Sequence, residues 1–210
     1  MTRFNPIRYL FTGLLFITQL IDSELNAQSW NLVREQDGIQ IFTRREEGRS
    51  LKSYRGVADI QAPAEKIFAL LENVNDNKWW ADKLIRVDVL LYEKNVRSRY
   101  YMEYGLPWPL SNRDLVVEET VSADPVKGIY TTMAVPVRGL VPEYSNKVRM
   151  PAYRQSWLIT ATGKGSAHVM LEGYADPAGN IPDWITNLAI VDTPAGIIKG
   201  VMKRLETGKG

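Results

Sequence analysis

"PDWITNLAIVDTPAGIIKGVMKRLE", residues 182–206, is the stretch that decides the fold. Pro182 and Asp183 suit a first helical turn, where a missing N–H costs nothing and a carboxylate meets the positive end of the dipole. Trp184, Leu188, Val191, Ile198, Met202 and Leu205 recur at steps that share one helical face. Lys203 and Arg204 stand near the end, where cations complement the dipole. At ~1.5 Å per residue such a helix spans roughly 38 Å. Pro194, with Gly196 two positions on, predicts a kink or a break inside it.

Working back from that helix, the chain reads mostly as strands in sequential pairs. "QSWLITAT" (155–162) and "SAHVMLEGYA" (166–175) flank "GKG". "DLVVEETV" (114–121) and "GIYTTMAV" (128–135) flank a turn with Asp-Pro chemistry. "LIRVDVLLY" (84–92) and "VRSRYYMEY" (96–104) flank Glu93-Lys94-Asn95. "GIQIFTR" (38–44) and "LKSYRGVADI" (51–60) have Gly48 between them. One other segment changes period. In "PAEKIFALLENV" (63–74), Ile67, Phe68, Leu71 and Val74 fall at helical spacing after Pro63. Short connections make the sheet antiparallel. About eight to ten strands with one apolar face need cover, and only two helices exist to supply it. The expected class is α+β: a strongly curved antiparallel sheet wrapped around the long C-terminal helix, a helix-grip arrangement.

Composition narrows the function classes. The chain has 210 residues, 45% hydrophobic, which suits one domain. Its 26 basic and 24 acidic residues leave a net charge of +2 and no case for nucleic acid. There is no cysteine, so disulfides, thiolate chemistry and cysteine-based metal sites are excluded. His168 is the sole histidine, too few for a usual zinc site and weak support for a relay. No GxSxG, HExxH or Walker pattern occurs. No cofactor and no metal are expected.

The N-terminus has its own character. Arg3 and Arg8 precede the apolar run "YLFTGLLFITQLI" (9–21), and small Ala27 follows. That is the layout of a secretory signal peptide, too short for the ~20 apolar residues of a spanning helix. The expected organisation is a removed signal over 1–27 and a single ligand-binding domain over 28–210. Localisation is then exported, periplasmic or secreted, in a bacterium; a retained N-terminal anchor is the alternative.

Four segments in order carry a family resemblance. They are "WNLVREQDGIQIFTR" (30–44), "LKSYRGVADIQAPAEKIFALLEN" (51–73), "PWPLSNRDLVV" (107–117), and "VRMPAYRQSWLIT" (148–160) followed by "GNIPDWITNLAIVDTPAGIIKGVMKRL" (179–205). The series resembles the StAR-related lipid-transfer (START) family of the helix-grip superfamily. Larger members carry an extra helix before the first strand; here the signal-like segment ends just before Trp30, so that helix is not expected. The resemblance implies a tunnel between sheet and terminal helix that binds, and in some members transfers, a lipid or other hydrophobic molecule without catalysis. It also implies a loop near the tunnel entrance, for which 135–147 is the candidate; a plain surface connection is the alternative. A polyketide cyclase or aromatase of the same superfamily is the rival reading, with Tyr101, Glu103, Arg113 and His168 as its suspects.

Candidate tunnel residues follow. Trp79 and Trp80, after the first helix, suit a tunnel mouth or a packed loop. Strand parity sets Tyr100 and Met102 opposite Arg97, Arg99, Tyr101 and Glu103, so the second set reads as a solvent face. Glu103 and Arg113 are nonetheless candidates for a polar head group, because the resemblance implies an acid–arginine pair in some sterol-binding members. Trp108, between two prolines, could touch ligand or membrane or anchor its turn. Trp184, Leu188, Val191, Pro194 and Ile198 are the candidates on the terminal helix. The expected partner is a hydrophobic small molecule or lipid, with transient membrane contact open, and the expected state is a monomer.

Overall fold

The fold was read from a computed structural model that describes residues 29–77, 79–80 and 83–208; side chains at 184, 185, 188 and 189 fall outside that description. The signal-like segment also lies outside the described residues.

The first hairpin joins β1 (Asn31–Gln36) to β2 (Ile39–Arg45). Asp37 and Gly38 connect them with φ of 54° and 73°, the paired left-handed conformation of a tight hairpin turn. β3 (Lys52–Ile60) follows, then α1 (Ala64–Glu72), which Pro63 opens. β4 (Leu84–Glu93) and β5 (Arg97–Tyr104) form the next hairpin, with Asn95 at φ 58°. β6 (Asn112–Asp124), β7 (Ile129–Pro136), β8 (Lys147–Arg149), β9 (Ala152–Gly163) and β10 (Ser166–Asp176) complete the sheet. α2 (Asp183–Glu206) ends the chain.

All ten strands join one sheet, in the order β1-β2-β3-β10-β9-β7-β6-β5-β4. Every neighbour on that path is antiparallel. The exception to the expected pattern is β8, which runs parallel to the start of β6 at Asn112–Asp114. The sheet does not close; β1 and β4 are its edges. Alternation follows the pleat, as in β2, where Ile39, Ile41 and Thr43 are buried between half-buried neighbours.

α2 packs chiefly on β2, β3 and β10, and α1 on β7 and β9. Of the kink or break expected at Pro194, no break occurs: α2 is one helix running through it. Its close approach to the sheet depends on a strand glycine rather than on its own. A Cβ on Gly56 in β3 would lie 3.0 Å from Pro194 Cβ and 2.7 Å from Ile198 Cδ1. Gly196 has nothing within 4 Å of the same position, and Gly200 meets the Trp79 backbone.

The interior forms two apolar clusters. The larger gathers β2, β3, β9, β10, both helices and Phe68 against Tyr130. The smaller gathers Tyr100, Met102, Leu115, Val117, Val74 and Met150 at the β4–β6 end. A single helix cannot cover a sheet this wide, so the two clusters meet at a seam that α2 only partly roofs.

Candidate functional site: a tyrosine-rich pocket at the seam

The pocket sits on that seam, with about 550 Å³ of space between its walls, part of it open to solvent. Leu71 from the end of α1 and Trp79 and Trp80 just after it form one side. Tyr100, Met102 and Tyr104 on β5, with Leu84 on β4, form another. Glu119 on β6 and Tyr153, Gln155 and Trp157 on β9 form the sheet wall, and Ile197 of α2 faces them. Alternation explains the sets: residues two apart on one strand share a face. Trp80 meets the Tyr100 ring edge-on at 5.2 Å.

Most of the polar groups are paired with one another. Tyr100 donates its hydroxyl to Glu119 Oε2 at 2.8 Å. Burial pushes the Glu119 carboxyl above its ordinary range, against hydrogen bonds from Tyr100 and Thr132 that pull the other way. Gln155 Oε1 accepts from Tyr54 at 3.3 Å and from Tyr153 at 3.2 Å. Burial raises the Tyr100 and Tyr153 hydroxyls well above their usual value and lifts Tyr104 to about 12, so all three stay neutral. The Trp79 Nε1 is buried with no hydrogen-bond partner among the described residues.

Of the sequence candidates, the structure brings Trp79, Trp80, Tyr100 and Met102 to this pocket. Glu103 goes elsewhere. It is buried, but on the opposite face of the sheet, where it accepts from Asn112 at 2.8 Å and pairs with Lys147. Burial would raise its carboxyl; those hydrogen bonds and the ammonium charge bring it below the ordinary range. Lys147 also reaches the Tyr101 hydroxyl, and Tyr144 packs on Tyr101 at 6.2 Å. The 135–147 loop therefore covers this convex face, and no residue of it lines the pocket.

Arg113 and Asp114 are strand neighbours and so point to opposite faces. Arg113 is 3% exposed and donates to the backbone carbonyls of Ser111, Pro177 and Ala178. It ties the start of β6 to the segment that leads into α2, so no Glu103–Arg113 pair exists. Asp114 is held by Arg149 through two bonds at 2.8 and 3.1 Å. Trp108 is 92% exposed and does not line the pocket. Pro194 and Ile198 are packed against Gly56, and Val191 packs on the larger cluster; none lines the pocket. The side chains of Trp184 and Leu188 lie outside the described residues.

Leu71, Leu84, Tyr104, Glu119, Tyr153, Gln155, Trp157 and Ile197 line the pocket without being sequence candidates. Parity from Tyr100 and Met102 reaches Tyr104 directly. Glu119, an acid in the apolar run "LVVEETV", was the other available signal.

No family model matches the chain. Rat phosphatidylcholine transfer protein is 29% identical over 186 residues, covering 85% of this chain and 85% of that protein. An uncharacterised protein of Pseudomonas aeruginosa is 28% identical over 86% of this chain and 88% of its own length. The crystal structure of a StAR-related lipid transfer protein from Xanthomonas axonopodis superposes with a TM-score of 0.76 at 28% identity, covering 84% of this chain and 98% of that one. The chain resembles START-domain proteins in sequence and in fold. As START domains are helix-grip folds, the order of strands and the terminal helix follow, and the seam pocket occupies the space between them.

Proposed function

We propose that this START-like domain binds one lipid or other hydrophobic small molecule in the seam pocket and carries it reversibly, without chemistry on it. The observation that carries the reading is the pocket itself: a space between sheet and helix whose walls are mostly aromatic and aliphatic. Burying apolar ligand surface there is favourable by about 25 cal/mol per Å² before the costs of association. The rat relative's name and that of the Xanthomonas structure support the same reading. Native mass spectrometry of gently purified protein, followed by solvent extraction, tests it. A bound hydrophobic molecule is expected; protein that stays empty across a broad lipid panel overturns it.

The rival cyclase reading gains nothing from the arrangement of its suspects. Tyr101 and Glu103 lie on the convex face, Arg113 is held by carbonyls, and the exposed His168 pairs with Asp59 at 2.8 Å. We also propose export through the N-terminal segment, which mass analysis of the mature protein checks. A transient membrane contact through Trp108 belongs to the same proposal. Its ring sits four residues beyond pocket-lining Tyr104, fully available to an interface.

A further inference from the structure

We infer that the molecule taken by this pocket has an uncharged head carrying a hydroxyl or carbonyl oxygen, which accepts from the Trp79 indole and lies beside the Glu119–Tyr100 pair. The inference rests on the lipid-carrier reading and narrows it to a ligand class.

The charge inventory comes first. Among the described residues that line the pocket there is no lysine, arginine or histidine, and the one ionisable acid is Glu119. A phosphate or carboxylate buried there would lose its hydration and face a carboxyl group with no cation to compensate. Arg113 is the tempting exception, since it pairs in register with Tyr104. Its guanidinium is already bonded to three backbone carbonyls that also position the entry to α2. Taking it for a ligand would leave those carbonyls unpaired.

A simple ammonium head finds no fixed counter-charge, since burial favours the neutral Glu119; a quaternary ammonium is compatible with the aromatic walls, and the phosphatidylcholine arm of the test covers it.

What the pocket does offer is neutral hydrogen bonding. The Trp79 Nε1 is a buried donor with no partner among the described residues, and a buried orphan donor is costly until an acceptor arrives. Among the described residues the Tyr104 hydroxyl makes one long contact, to Met102 Sδ at 3.8 Å. An oxygen that accepts, and in the case of a hydroxyl also donates, completes this set.

The test uses the full chain mixed with neutral carrier vesicles doped separately with diolein, cholesterol, oleic acid, phosphatidylcholine or the oxygen-free hydrocarbon squalene. Lipid retained by the protein after gel filtration is measured. Diolein or cholesterol should be retained about tenfold above phosphatidylcholine and oleate. Trp79→Phe should lower retention of the oxygen-bearing ligand about fivefold more than it lowers squalene. Phosphatidylcholine or oleate retained as well as the uncharged lipids overturns the inference while leaving the carrier reading intact. Squalene retained as well as diolein overturns the oxygen requirement. Retention of none of the five sinks the carrier reading itself. If Trp79→Phe fails to fold by circular dichroism, the wild-type panel alone decides.

Discussion

The Tyr100 hydroxyl donates to the Glu119 carboxyl at 2.8 Å inside the pocket wall, with no cation on either partner. Burial raises the Glu119 pKa in the folded state. An acid whose pKa is higher folded than unfolded binds more protons when folded. Its stability penalty is therefore absent below the unfolded value, grows as pH rises past ~4.3, and levels off above the folded pKa. Glu119→Gln should match wild type near the acid end and exceed it at neutral pH by about 1 kcal/mol, roughly 2–4 °C in Tm. Thermal melts at a series of pH values check this; a gap independent of pH would contradict it.

Gly56 lets α2 lie against β3. A Cβ there would come within 3.0 Å of Pro194 Cβ, a ring atom that cannot rotate away, and within 2.7 Å of Ile198 Cδ1. Gly56→Ala should destabilise by about 1–3 kcal/mol through overpacking, and denaturant unfolding measures it. Gly196→Ala, which meets open space, should instead be neutral or slightly stabilising, since alanine is the better helix former.

Arg149 holds Asp114, whose side chain is 1% exposed, through two hydrogen bonds. Removing the guanidinium leaves an unpaired carboxylate inside the protein. Arg149→Met should cost about 3 kcal/mol, roughly 6–12 °C in Tm. Pocket occupancy at low temperature should be unchanged, because this pair lies on the face away from the pocket.

Trp108 touches little of its own chain. Burying roughly 60 Å² of its ring in a lipid interface is worth about 1.5 kcal/mol, near a factor of ten in affinity. Trp108→Ser should lower vesicle association by about that factor in a sedimentation assay, with no change in Tm. Equal association of both proteins would remove Trp108 from the membrane contact.

Local pattern carried much of the architecture. The hairpins are readable because their turns hold glycine, asparagine and Asp-Pro, and the period-2 alternation of β5 sets Tyr100 and Met102 apart from Glu103. The terminal helix was readable because its apolar residues recur at helical spacing over seven turns. Its register on the sheet was not. Val191, Pro194 and Ile198 share the expected apolar face, yet that face is consumed by packing on β2 and β3, and Ile197 beside it reaches the pocket.

By itself, then, the sequence determined the class of fold, the strand pairs, the two faces of each strand and the absence of thiol chemistry. Only the tertiary structure decided which buried acid faces the pocket. Glu103 and Glu119 are both buried carboxyl groups on neighbouring strands. Parity assigns each a face, but whether a face is covered by a helix with room to spare or by a loop bearing Lys147 depends on how distant segments pack. That packing is a property of chain separated by dozens of residues, and no local spacing encodes it.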